Sequence, residues 1–405
     1  MKIKCPRCQA AITYDIASQS MQCEYCGSIF GMSDIATDHF EPEKAESEAA
    51  SESSAPEPES ASEKAAEEEM TCKMMSCSSC GANLMVNETE SATFCAYCGQ
   101  PTLVMDRITK QKRPKYILPF KIKKEEAEEI VRRKFAKGFF VPQSVKNFKV
   151  DKLHGVYIPY RMVDVYCQDE MVIKAEHKSS NRTTYSYHYR KALNTFKQVT
   201  VDASNQLSDE SSVRLEPYKL DELTAFDPAY FSGFYANCMD TPVQELEKTA
   251  SQRALLMFHE EAMKTVSGGS SPEVVVTNPY TEIEDSTYIM LPAWFLSFTE
   301  GGKNYTMMVN GQTGKCVGAV PPVRAKVKIC TALLAVLLSP VCVSILRVLF
   351  QGDEVGKIVV GTIFAIAVLF FSGKLNFEKI NKSCELTCAQ DMKSFANDRQ
   401  EVHGI

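Results

Sequence analysis

"CSSCGANLMVNETESATFCAYCG", Cys77–Gly99, sets two Cys-x-x-Cys pairs fourteen residues apart, and "CPRCQAAITYDIASQSMQCEYCG", Cys5–Gly27, writes the same bracket earlier in the chain. Four thiolates in a tetrahedron satisfy Zn²⁺, and two Cys-x-x-Cys turns brought together by an intervening hairpin supply them. The spacing therefore predicts two small four-cysteine zinc ribbons. Cys5, Cys8, Cys23 and Cys26 hold one ion, and Cys77, Cys80, Cys95 and Cys98 hold the other. The copies also share Ala10/Ala82, Tyr25/Tyr97 and Gly27/Gly99, with Ile12 and Tyr14 answering to Leu84 and Val86. Four thiolates leave no open position for water, so both ions are expected to be structural. Modules of about thirty residues bury too little apolar surface to fold alone, and metal binding would supply the missing free energy.

Eight of the sixteen cysteines are used this way. Cys72, Cys167, Cys238, Cys316, Cys330, Cys342, Cys384 and Cys388 lack comparable spacing and read as small hydrophobes or idle thiols. The opening "MKIKCPRCQA" has no apolar leader core, so the thiols are expected in a reducing, cytoplasmic setting. Between the brackets, residues 41–70 hold eleven Glu and two Lys with Ser, Ala and Pro. Such a stretch is expected to be an acidic, disordered linker, with the first ribbon as a mobile head.

Past the second bracket the sign reverses, with twelve Lys or Arg against four Glu from Arg107 to Lys137. Within it "KEEAEEIVRRKF" predicts an amphipathic helix with Ala127, Ile130, Val131 and Phe135 on one stripe, acids first and bases last. Residues 150–320 alternate Tyr- and Val-rich strand segments with a helix over about Val243–Val266, and "EGGK" and "NGQTG" read as hairpin turns. "ILPFKI", "YIPYRM" and "LPAWFL" recur as strand starts with a shared packing role. This part is expected to be an α+β central domain.

Catalytic motifs are missing. His259 in "FHEEAM" lacks a second His four residues on, His177 and His188 flank a polar turn, and there is no G-x-S-x-G, P-loop or G-x-G-x-x-G. The expectation is a non-enzyme with no small-molecule substrate.

"ICTALLAVLLSPVCVSILRVLF", Ile329–Phe350, and "IVVGTIFAIAVLFFSG", Ile358–Gly373, are apolar runs separated by "QGDEVGK". Their lengths approach the roughly twenty residues a spanning helix needs, which predicts a C-terminal transmembrane helical hairpin with the bilayer as partner. Arg324, Lys326 and Lys328 before it and Lys374, Lys379 and Lys382 after it would keep both termini cytoplasmic.

With "RPKYILPFKIKKEEA", "LHGVYIPY", "VDAS", "LEPYKLDEL", "AFDPAYFSGFYA", "LPAWFLSF" and "YTMMVNGQTGK" added to the knuckles, the chain resembles a bacterial family that carries a transcription-factor-IIB-type zinc ribbon ahead of a membrane-associated domain. The resemblance implies a link to phage-shock envelope-stress proteins or to replication. This chain departs from it by the extra ribbon, the acidic linker, and Gln9 where a Gly is usual.

The expected layout is multidomain: ribbon 1 at 1–32, linker 33–71, ribbon 2 at 72–104, central domain 105–320, hairpin 321–376 and cytoplasmic tail 377–405. The expected function is a multi-pass adaptor of the bacterial cell membrane that presents zinc ribbons to a protein partner. The alternative is nucleic-acid binding through the ribbons and the basic stretch, against which few bases lie in the ribbons themselves.

Overall fold

In a computed structural model the chain is described at residues 4–35, 68–318 and 322–330 and at scattered positions from 332 to 374. Short stretches at 80, 87–94, 98–102, 137–140, 147–152, 180–181, 208, 268–269 and 301–302 lie outside the described residues. The N-terminal module is a small antiparallel sheet of β1 (Thr13–Asp15), β2 (Ser20–Gln22) and β3 (Ile29–Phe30). Next come β4 (Glu69–Cys77), β5 (Asn83–Val86), β6 (Leu103–Lys112), β7 (Tyr116–Ile117), α1 (Lys124–Ala136) and α2 (Gln143–Lys146). The long hairpin β8 (Leu153–Ser179) and β9 (Arg182–Asp202) is followed by α3 (Asp209–Leu215), β10 (Thr224–Ala225), β11 (Tyr235–Asn237) and α4 (Val243–Lys264). The sheet is completed by β12 (Ser270–Val276), β13 (Tyr280–Glu300), β14 (Lys303–Asn310) and β15 (Cys316–Val317).

β8 is the spine. Along one side it pairs with β13 and then β12, and along the other with β11 and then β9. Both β9 and β13 bulge opposite Asp164, with register shifts at Val163/Val165 and Ile283/Asp285, so the sheet divides there into a core half and a wing. The three similar segments are not strand starts, since Leu118 follows β7 and Ile158 and Leu291 lie inside β8 and β13. Each of these residues is nevertheless followed by Pro, and the three strands lie side by side in the sheet. The shared sequence thus reflects a shared place: Leu118, Ile158 and Leu291 are fully buried in one cluster.

Because side chains alternate along a strand, odd and even positions of β8 face opposite ways. On the odd face of the core half, Leu153 and Tyr157 pack with Phe120, Phe234, Trp294 and the α1 residues Ala127 and Val131. On the even face, Val156, Ile158 and Tyr160 pack with Leu207, Leu215 and Tyr97. The odd face of the wing (Val165, Cys167, Met171, Ile173) is covered by α4 through Leu246, Ala250, Ala254, Phe258 and Ala262. Alanines every fourth residue bring that helix close to the sheet. The remaining quarter, the even face of the wing, is left uncovered by the described residues.

Two expectations need correction. The described residues are predominantly β, so the central region is a large sheet with a few covering helices and not a balanced α+β domain. The Tyr- and Val-rich segments join into strands far longer than the usual five or six residues. The transmembrane hairpin and the multi-pass membrane localisation are also overturned: no helix among the described residues is long and apolar enough to cross a membrane. Within 321–376 the continuous described helix is residues 324–330, about 10 Å long against the ~30 Å of a bilayer core; most of the rest lies outside the described residues. α4 has the length, yet it is amphipathic and spends its apolar stripe on the sheet.

Candidate metal centre

Cys5, Cys8, Cys23 and Cys26 converge, with their four sulfurs within 4.8 Å of one another. Cys5 Sγ lies 3.6 Å from Cys26 Sγ, and Cys8 Sγ 3.5 Å from Cys23 Sγ. Four sulfurs at about 2.3 Å from a tetrahedral zinc stand roughly 3.8 Å apart, so the set fits a metal ion with little adjustment. The backbone builds each knuckle alike. Cys5 N–H donates to Ala10 O and Gln9 N–H to Cys5 O; Cys23 N–H donates to Ser28 O and Gly27 N–H to Cys23 O. Each turn reverses through a left-handed residue, Gln9 at φ 62° and Gly27 at φ 68°.

The thiols differ in acidity. Ser28, through its hydroxyl and backbone N–H, holds Cys26 down to about 6. Cys8 receives the Ala10 N–H, which favours its thiolate, but burial and the three neighbouring sulfurs push it up to about 12. A full set of four thiolates therefore repels itself and requires a cation among the sulfurs.

The module is docked, contrary to the expectation of a mobile head. Tyr14 of β1 meets Tyr230 edge to face at 5.0 Å and Phe234 at 6.5 Å. Its backbone N–H donates to Ser232 O at 3.2 Å, and Gln19 Nε2 donates to Phe120 O at 2.9 Å while Gln19 Oε1 accepts from the Tyr14 hydroxyl. Cys5, Ile12, Tyr14, Met21 and Cys23 are consequently buried in the same cluster as Phe120, Phe234 and Trp294. The receiving segment is "AFDPAYFSGFYANC", where the Asp227 side chain accepts from Ala229 N–H and caps a short 3-10 turn, Pro228–Phe231. Its aromatic density was the sequence signal for a docking platform.

The second bracket is built differently. Its strands β4, β5 and β6 join the main sheet through β5–β11 pairing. Cys77 N–H donates to Ala82 O and Gly81 N–H to Cys77 O, the same turn as at Cys5. Cys77 and Cys95 are buried together with Tyr97, and Tyr97 packs on Phe295 at 4.9 Å. Cys80 and Cys98 lie outside the described residues. The equivalent tyrosines thus have opposite fates: Tyr97 is 0% exposed and Tyr25 is 84% exposed.

The basic stretch is largely engaged within the chain. Arg113 pairs with Glu68 at 2.9 Å, Lys121 with Glu222 at 2.7 Å, Arg132 with Glu128 at 2.6 Å and Arg133 with Glu129 at 3.5 Å. A further polar group joins α4 to the sheet: the buried carboxylate of Asp169 lies 2.8 Å from His259 Nε2 and accepts from Thr277 Oγ1 and Asn278 N–H.

No family model and no solved structure matches the chain. It is similar to the uncharacterised protein YdjG of Bacillus subtilis (strain 168), with 29% identity over 236 residues that cover 56% of this chain and 69% of that protein.

Proposed function

We propose that the chain is a zinc-stapled adaptor: structural Zn²⁺ ions, one at Cys5, Cys8, Cys23 and Cys26 and one at Cys77, Cys80, Cys95 and Cys98, fix two knuckle-bearing modules on a rigid sheet, and the first presents a protein-recognition surface. The observation that carries this reading is the divergence of the duplicated tyrosine. Tyr97 is spent on the core, whereas Tyr25, between two metal-ligating cysteines, stands 84% exposed, and Ile29, four residues on, is 61% exposed. A metal knuckle holds such side chains at low conformational cost, which suits an aromatic anchor for a partner. A donor set of four thiolates supports a structural ion over a catalytic one. The identical knuckle turn at Cys77 supports a second ion. The internal ion pairs of the basic stretch weigh against a nucleic-acid face, which would need those cations for phosphates.

The test is a comparison of chains purified from their native host. The unaltered chain is expected to carry two zinc ions by elemental analysis and to retain a protein partner. Tyr25→Ala combined with Ile29→Asp should keep the zinc and lose that partner. A chain without stoichiometric zinc, or one whose partner stays bound despite the double substitution, would refute the proposal.

A further inference from the structure

Three quarters of the sheet surface are covered from within the chain, and among the described residues nothing covers the fourth. On the even face of the wing, Tyr185, Tyr187 and Tyr189 of β9 stand in line at 51%, 64% and 60% exposure, with Leu193 at 68% two steps further along. Across the sheet the same face continues through Val276, paired with Val172, to Tyr280, paired with Gln168, at 58% and 55% exposure. Solvent-facing strands normally alternate apolar residues inward with polar residues outward. Here three successive outward positions of β9 are tyrosine.

Three of the four rings have polar partners. Lys174 sits over the Tyr185 ring at 4.4 Å, Glu170 accepts from Tyr189 Oη at 3.2 Å and pairs with Lys191, and Tyr280 Oη donates to Glu282. Preorganised tyrosines lose little entropy on contact and are enriched at the centres of protein interfaces.

We infer that this face is the seat of a second copy of the chain, packed sheet to sheet about a two-fold axis so that α4, sheet, sheet and α4 form four layers. Area and charge select this occupant. At about 200 Å² per tyrosine the four rings alone offer roughly 450 Å², more than half of the ~800 Å² per partner of a standard interface. The face carries both signs: Lys174, Lys178 and Lys191 stand among Glu170, Glu176, Glu273 and Glu282, with Lys178 3.1 Å from Glu176. A two-fold contact sets such a patch against itself, so bases can meet acids, whereas a polyanion would meet the four glutamates. Pairing along the β9 edge is disfavoured because the strand carries Arg182, Arg190, Lys191 and Lys197, the charges that keep edge strands apart.

This inference does not depend on the metal centre and is tested on the full, metal-loaded chain by sedimentation at concentrations up to about 100 µM. The unaltered chain is expected to form a dimer. Tyr187→Glu and Leu193→Glu, each on the open face and outside the core, should each weaken that dimer about 30-fold or more while leaving the thermal midpoint of the monomer in place. A chain that stays monomeric at the highest concentration would overturn the proposal, and so would a dimer whose affinity neither substitution changes.

Discussion

At the scale of single residues, Gln9, Gly27 and Gly81 hold one job in three knuckles. Each donates its N–H back to the first cysteine of its turn, at 2.8–2.9 Å, from a left-handed backbone at φ 62°, 68° and 76°. That conformation costs an L-residue about 1–2 kcal/mol, while glycine adopts it without penalty. Gln9→Gly relieves this strain and gives back part of the gain by loosening the unfolded chain, about 0.4–1 kcal/mol. The expected net is a stabilisation of about 0.5–1 kcal/mol, read as a higher denaturation midpoint of the metal-loaded chain; a lower midpoint would show that the Gln9 side chain contributes to the fold. The cysteines themselves were legible because ligand chemistry fixes both residue type and spacing. The exposure of Tyr25 against the burial of Tyr97 was not, since the two brackets share the cysteine spacing and this tyrosine, and what lies outside them decides whether the ring is covered. Phe295 waits above Tyr97, whereas the first module docks through its other side, by Tyr14 and Gln19.

At the scale of elements, local pattern served well where one face decides. The helix expected from "KEEAEEIVRRKF" is α1 with Ala127, Ile130 and Val131 toward the core, and the helix expected at Val243–Val266 is α4. What joins α4 to the wing was hidden, because Asp169, His259 and Thr277 are far apart in sequence. Burial alone would raise the Asp169 carboxyl, but hydrogen bonds from Thr277, His259 and Asn278 N–H outweigh it and hold its pKa below the ordinary value. A folded-state pKa below the unfolded one gives stability that is fully present above the unfolded value of about 3.9 and is lost as pH falls through the folded value. Asp169→Asn is therefore expected to cost about 2 kcal/mol at pH 7, in the range of hydrogen bonds to a charged group. The gap between variant and unaltered chain in urea denaturation should shrink as pH falls below about 4. A gap that stays constant from about pH 7 to about pH 3 would mean that the ionised carboxylate does not stabilise this joint.

At the scale of the whole molecule, hydropathy and composition misled because they describe segments, and the fold is decided by which segments share a core. Reading an acidic linker beside a thirty-residue module suggests an independent head, yet Cys5, Ile12, Tyr14, Met21 and Cys23 are buried in one cluster with Phe120 and Trp294. The docking has a reporter. Trp294, the single tryptophan of the chain, lies 5.1 Å from Phe120 and 6.1 Å from Phe234, the ring that also meets Tyr14. Gly155 shows how tight the platform is: a Cβ there would stand 2.5 Å from Phe234 Cδ1. Removing the metal with a strong chelator, or by Cys23→Ser, should free the module and open this aromatic cluster to water. Trp294 emission is then expected to shift to longer wavelength, and the thermal midpoint of the whole fold to fall by roughly 5–10 °C, as a loss of several kcal/mol implies for a body of this size. A head that hung by its linker would lose its metal without either change, so an unchanged Trp294 spectrum and midpoint after complete metal removal would separate the module from the core. Re-addition of Zn²⁺ should restore both readings in the chelated chain and fail to do so in Cys23→Ser, where the fourth thiolate is gone.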